Sequence, residues 1–186
     1  SSEMIKLAQR SPNGDHPGIR WINAPVEEAA LSPPYALITA GASLHWMAWD
    51  VVFPRFVEIL APGGFLALVG NPSAPVPWWT PLLEIIGRYS TNRDYQPYNL
   101  VEELQQRSLF QVCGSSKTEP VLFVQPLDDY VESFHARNGF SRDRLTADAA
   151  AAFDAEAHDL IRGYCPDGLV TLEISGQVTW GVPWLP

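Results

Sequence analysis

Apolar and polar positions fall in blocks whose period switches between that of a helix and that of a buried strand. Ser1 or Ser2 can cap a helix through Arg10, with Met4, Ile5 and Leu7/Ala8 as its apolar stripe. Ser11–Gly18 is turn-rich, carrying Pro12, Gly14 and Pro17. The spacing then predicts a short strand over Ile19–Asn23 and a brief helical turn over Glu27–Leu31, stopped by Ser32-Pro33-Pro34. Tyr35–Thr39 is nearly continuous in apolar character, the pattern of a strand buried on both faces of a parallel sheet. A helix is expected within Trp49–Leu60, with Phe53, Phe56, Val57 and Leu60 on one face and Arg55 and Glu58 elsewhere. Pro62-Gly63-Gly64 ends it, and Phe65–Val69 is the next buried strand.

This alternation argues for an α/β protein: a parallel sheet with helices on both faces. Ligands of such sheets bind outside the carboxyl ends of the strands, so the loops beginning at Asn23, Thr39 and Val69 matter most. Further along, Trp79–Tyr89 reads as helical. Asn99 caps a helix to about Arg107, with Glu102 as the acid of its first turn. Leu109–Gly114 and Val121–Gln125 are strand candidates. Leu127–Arg137 is a helix stopped by Asn138-Gly139, and Thr146–Arg162 a helix closed by Gly163. Leu169–Ile174 and Gln177–Val182 read as two strands joined at Ser175-Gly176. No repeat or linker interrupts the chain, so residues 1–186 are expected to form a single domain.

Composition narrows the partners. The formal net charge is −9 and no Lys/Arg cluster occurs, which argues against nucleic acid and for a small molecule. Seven tryptophans supply material for an apolar core or pocket. Cys113 and Cys165, far apart in sequence, read as free thiols of a reducing, cytoplasmic setting, and no Cys/His spacing fits a metal. No apolar run approaches the roughly 18 residues of a membrane span, and the N-terminus lacks the form of a signal peptide.

The first 70 residues carry four pieces in a recognisable order: Ser1-Ser2-Glu3-Met4-Ile5, Ala24-Pro25-Val26-Glu27, the run Leu37–Trp46 with Leu44-His45-Trp46, and Glu58 followed by Pro62-Gly63-Gly64 and Phe65–Val69. Together they resemble the small-molecule class I S-adenosylmethionine-dependent methyltransferases of the type 11 group. The resemblance implies a Rossmann-like sheet, mostly parallel, with an antiparallel strand near the C-terminal end. It implies a cofactor-side part in 1–70 and a part with a helical substrate-side insertion in 71–186. It also implies methyl transfer from S-adenosylmethionine to a small-molecule acceptor. Two departures stand out. No Gly-x-Gly-x-Gly occurs, so the cofactor loop and the N-terminal strands around it are expected upstream of Ser1. Pro25 stands where the family often has Asp or another polar residue, which leaves the backbone N–H of Val26 to meet an adenine nitrogen.

Each candidate has a plainer alternative. Pro25, Val26 and Glu27 form an adenine-edge loop or an ordinary loop with a solvated acid. Ala40, Gly41 and Ala42 let a flat ligand approach the backbone, or simply connect strand to helix. His45 and Trp46 are the candidates for the catalytic site: His45 as a cofactor or substrate contact or a general base, or as a hydrogen-bonded structural residue; Trp46 and Trp49 as pocket walls or as core. Tyr130, Phe134 and His135 line a substrate lid or an amphipathic packing face. Gly41-Ala42-Ser43-Leu44-His45 partly mimics a hydrolase nucleophile elbow, but His45 falls where a small residue is needed. A competing non-enzymatic reading is a methyltransferase-like remnant or partner subunit. If the 186 residues are the whole protein, its incomplete sheet would expose apolar surface and favour a homodimer or another protein partner.

Overall fold

The computed structural model describes residues 2–93, 98–137 and 139–184. Ser1, one of the expected caps, and Asn138, half of an expected helix stop, lie outside the described residues. In chain order the elements are α1 (Ser2–Arg10), β1 (Tyr35–Gly41), a 3-10 turn (Leu44–Trp46), α2 (Trp49–Ile59), β2 (Leu60–Gly70) and α3 (Trp79–Tyr89). Then follow α4 (Leu100–Gln106), β3 (Phe110–Lys117), β4 (Val121–Pro126), α5 (Leu127–Glu132), a second 3-10 turn (Ser133–Ala136), α6 (Ala147–Arg162), β5 (Leu169–Ile174) and β6 (Gln177–Pro183). Contacts group the described residues into two compact units. The chain leaves the first after Gly70, returns at Asn99, leaves again after Ser116 and returns at Val178.

The first unit carries a four-stranded sheet in the order β1-β2-β6-β3. β1 and β2 run parallel, with Leu37 opposite Phe65, Thr39 opposite Ala67 and Gly41 opposite Val69. Trp184 N–H donates to Leu109 C=O at 2.8 Å. Gly181 lies over Gln111, and Gly114 under Trp180. Residue numbers rise on β6 as they fall on β3, so these two strands are antiparallel. A mixed sheet with parallel core strands, flanking helices and antiparallel C-terminal strands is the Rossmann-like methyltransferase architecture expected from the sequence.

The crossover helix α2 packs Val52, Phe53, Phe56 and Ile59 against Ala40, Leu66, Leu68 and Phe110. Pro54 sits inside this helix and removes one backbone bond. That costs roughly 3 kcal/mol, whereas burial of each of the four large side chains returns about 1.5–3 kcal/mol, so packing wins. The buried face differs from the expected one. Val57 is exposed and Leu60 has already left the helix to begin β2. The helix stops at Ile59, and Pro62-Gly63-Gly64 lies inside β2 at its irregularity: Gly63 takes φ +77, and a Cβ on Gly64 would lie 3.0 Å from Ala36 O, so the shifted register between Tyr35 and Leu37 favours glycine there.

The second unit holds α3, α5 and α6 around Trp78, Leu82, Tyr130, Phe134, Phe153 and Ile161, with an antiparallel pair of strands, β4 and β5. Thr146 caps α6 by accepting from Ala149 N–H. In the first unit, Asn99 caps α4 by accepting from Val101 and Glu102 N–H.

Three expectations are corrected. Ile19–Asn23 is irregular rather than a strand: no described strand lies beside it, a lone strand leaves its backbone groups without partners, and Ile19 and Trp21 are exposed. β1 is covered on one face only, since Leu37 is 54% exposed. β5 and β6 do not form a hairpin, because they belong to different sheets. Ser175 N–H donates to Pro72 C=O, and Gly176 N–H to Thr118 Oγ1, so the two linking residues bond to other segments instead of closing a turn.

A Cβ on Gly181 would lie 2.1 Å from Gln111 O, a clash with backbone in mid-sheet. Gly181→Ala should destabilise the protein by at least about 2 kcal/mol, read as a lower urea midpoint at unchanged slope.

Candidate functional site

The carboxyl ends of β1 and β2 lie side by side because the strands are parallel and Gly41 pairs with Val69. Beyond them the chain turns sharply. Ala42 takes φ 46 and donates its N–H to Val69 C=O at 3.2 Å. A residue with a Cβ costs roughly 1 kcal/mol in that left-handed conformation, so the turn is held by its surroundings. Leu44 provides the hold: it is buried, with 1% exposure, beneath the 3-10 turn. The same turn directs its neighbours outward. His45 and Trp46 are exposed, their rings 4.7 Å apart and tilted at 48°, and Trp46 shows 63% of its surface. Gly41 is exposed too, with nothing within 4 Å of where a Cβ would stand.

Trp49 braces this loop from behind. Its indole N–H donates to Leu44 C=O at 2.8 Å, and the Arg107 guanidinium lies 5.1 Å from the ring centroid. The Pro25–Ala29 loop is tied to the same helix start. Pro25 C=O accepts from Glu28 and Ala29 N–H, which makes one helical turn. The Glu27 carboxylate accepts from Ala48 N–H at 3.0 Å, at the N-terminus of α2, and Arg55 donates to the carbonyls of Glu27 and Ala29. Val26 packs on the core, while Pro25 is exposed. The bond from Ala48 N–H, then that from Glu27's own N–H, then the Arg55 charge hold the Glu27 carboxyl below its ordinary value of 4.5. Sequence reasoning missed Arg55 and Ala48 as partners. The available signal was Arg55, a cation inside a helix that begins beside an acidic loop.

Tyr130, Phe134 and His135 belong to the second unit. Tyr130 and Phe134 are buried in an aromatic cluster, 5.6 Å apart edge to face, and Phe134 meets Phe153 at 5.7 Å. The Arg137 guanidinium stands 4.0 Å above the Phe134 ring, and its burial pushes its pKa down. His135 is buried between two acceptors, the Phe140 carbonyl at Nδ1 and the Asp154 carboxylate at Nε2, each at 2.7 Å. It reaches the wall of a cleft of about 520 Å³, shared with Glu132, Ser133, Ser141, Arg142 and Asp143. Arg142 pairs with Glu132 and lies 3.6 Å from Asp154, so the Glu132 carboxyl is held low and the guanidinium high.

The structure thus brings Pro25–Glu27, Ala40–Ala42, His45, Trp46 and Trp49 together in the first unit, and gathers Tyr130, Phe134 and His135 in the second. Both cysteines are free; Cys165 is buried, which raises its pKa, and Cys113 is exposed. Among the described residues no group of three His, Cys, Asp or Glu could hold a metal ion, and no helix is long and apolar enough to cross a membrane.

No protein-family model and no curated protein sequence matches the chain. Solved structures do. An inferred type II methyltransferase from Anaeromyxobacter dehalogenans superposes with a TM-score of 0.56 at 18% identity, over 92% of this chain and 74% of that one. An inferred methyltransferase from Bacillus halodurans C-125 gives 0.54 at 12% identity, over 97% and 79%. The fold is a Rossmann-like methyltransferase fold. At these identities the likeness is one of backbone fold alone.

Two outcomes are expected. The folded pKa of Glu27 lies below its unfolded value, so its contribution to stability is complete above about pH 4.5 and lost as pH falls through the folded pKa. The stability gap between wild type and Glu27→Gln, measured by urea titration at stepped pH, should therefore narrow below pH 4.5. Asp154→Ala leaves a buried ring nitrogen of His135 without its partner and should cost about 1–3 kcal/mol in the same assay.

Proposed function

We propose that this chain carries the cofactor-edge and acceptor-side parts of a class I methyltransferase of the type 11 group, acting on a small-molecule acceptor with S-adenosylmethionine as donor. One observation carries the reading: an exposed imidazole–indole pair stands beside bare backbone at the carboxyl end of parallel strand β1. Ligands of open α/β sheets bind at that end.

The residues fit the group. Gly41 leaves open the space that a side chain would fill, so a flat ring can approach the backbone there. The backbone N–H of Val26 is assigned to an adenine nitrogen, and Glu27 holds that loop in place through Ala48. Ala40 and Ala42 flank the bare stretch. His45 offers a donor or acceptor to cofactor or acceptor, and Trp46 supplies an apolar wall, with Trp49 holding both through Leu44. In the second unit His135 is assigned to the acceptor-side cleft, with Tyr130 and Phe134 packed behind it. S-adenosylmethionine, if held by these residues, would supply a sulfonium methyl group for transfer to the acceptor's lone pair, with S-adenosylhomocysteine as the leaving group. The chain's own contribution is alignment and exclusion of water, which supply much of the barrier reduction when the acceptor is already ionised. The residues given contain no Gly-x-Gly-x-Gly to meet the methionine portion, and among the described residues β1 pairs on one side only.

Calorimetric titration of S-adenosylhomocysteine into this polypeptide and into the protein extended upstream tests the reading. Binding to the extended form is expected. Gly41→Leu in that form should weaken it at least about tenfold with an unchanged melting temperature, because the site around Gly41 is open. Absence of binding to both forms would sink the reading and favour the non-catalytic partner role instead.

A further inference from the structure

Arg55 is directed at neutral partners. Acidic residues outnumber basic ones in this chain, 21 to 12, yet the Arg55 guanidinium donates to two backbone carbonyls, those of Glu27 and Ala29. Its helical neighbours Val52 and Ile59 are buried in the core, so the fork is carried on a fixed element. The loop it meets is closed on itself, because Pro25 C=O accepts from Glu28 and Ala29 N–H. A planar fork on two carbonyls fixes the rotation of such a loop as well as its distance from α2. A lysine ammonium would be a point charge about which the loop could turn. The Glu27 carboxylate adds a third tie, accepting from Ala48 N–H at 3.0 Å.

These ties orient one donor. Glu28 and Ala29 N–H are used inside the loop, and Glu27 N–H meets its own carboxylate. Val26 N–H has no acceptor among the described residues. The Val26 side chain packs on the core, so the placement of the loop sets the direction of this N–H.

We propose that Arg55 is a positioning residue of the cofactor edge: by clamping the Glu27 and Ala29 carbonyls it aims the Val26 N–H at one ring nitrogen of adenine, and so sets the preference for that base. The role rests on the cofactor reading given above. Hydrogen bonds weaken steeply with angle, so a loop free to turn keeps its apolar contact with a base and loses the aimed bond. A site built around such a bond rejects a ligand that lacks the acceptor, because the covered donor is then unpaired.

Calorimetry with S-adenosylhomocysteine and its 1-deaza and 3-deaza analogues, each lacking one ring nitrogen, tests the clamp on the protein extended upstream. Wild type should bind one of the two analogues at least about tenfold more weakly than the parent. Arg55→Lys should shrink that ratio at least about fivefold while binding the weaker analogue as wild type does. A merely structural role would weaken all three ligands alike. Amide hydrogen exchange supplies a readout without ligand: in Arg55→Lys, Glu28 and Ala29 should exchange at least about tenfold faster, with Thr39 and Ala67 of the β1–β2 ladder unchanged. If the lysine variant melts early, Arg55→Gln is read in the same two ways. An unchanged ratio, equal weakening of all three ligands, or unchanged exchange would overturn the clamp and leave the cofactor reading standing. No binding of any of the three by wild type would overturn both.

Discussion

Two parallel strands cannot be joined by a tight turn; the chain must cross over, and here the crossover is α2. That requirement fixes most of the first unit. It puts Val52, Phe53, Phe56 and Ile59 on one face of β1 and β2, and it brings the carboxyl ends of both strands to one edge. It also compels the chain to turn outward at Ala42 before the helix can start. Leu44 anchors the turn from inside, and His45 and Trp46 are exposed as a direct consequence. The start of the helix then supplies the Ala48 N–H that holds the Glu27 carboxylate, while Arg55, further along, holds the backbone of the same loop. Two loops distant in sequence are therefore positioned by one short helix.

The second unit is organised differently. Its centre is aromatic, with Tyr130, Phe134, Phe140 and Phe153 in edge-to-face or tilted contact, and its polar groups are fastened to that centre. His135 is enclosed by two acceptors, and Arg142 draws together Glu132 and Asp154. The Glu132 and Asp154 carboxylates of this cluster are each met by a cationic or N–H partner.

Local signals were legible in the sequence, and long-range ones were not. Asn99 and Thr146 announced their helices because a cap satisfies backbone donors two or three residues away. Pro62-Gly63-Gly64 announced the end of α2, and the apolar runs located β1 and β2. The destination of β5 and β6 was hidden, because their separation depends on Pro72 and Thr118, each more than fifty residues distant from the link. Ile19–Asn23 carried strand-like residues, but a strand also needs a neighbour, which no local pattern encodes. At the site, the positions of His45 and Trp46 after a strand end could be read directly. The tie between Glu27 and α2 could not, since nothing in either segment names the other. Tyr130 and Phe134 share one stripe in the sequence whether they pack inward or line a cleft.

The strand order has a temporal side. β6, the last of the described strands, lies between β2 and β3 rather than at an edge. A ribosome releases the chain from its N-terminus, so β2 and β3 emerge long before the strand that separates and joins them. Through that interval β2 and β3 each wait for their shared neighbour, while every segment of the second unit has already been made. The nascent polypeptide thus makes all of its inserted unit while its main sheet still lacks the strand that joins β2 to β3.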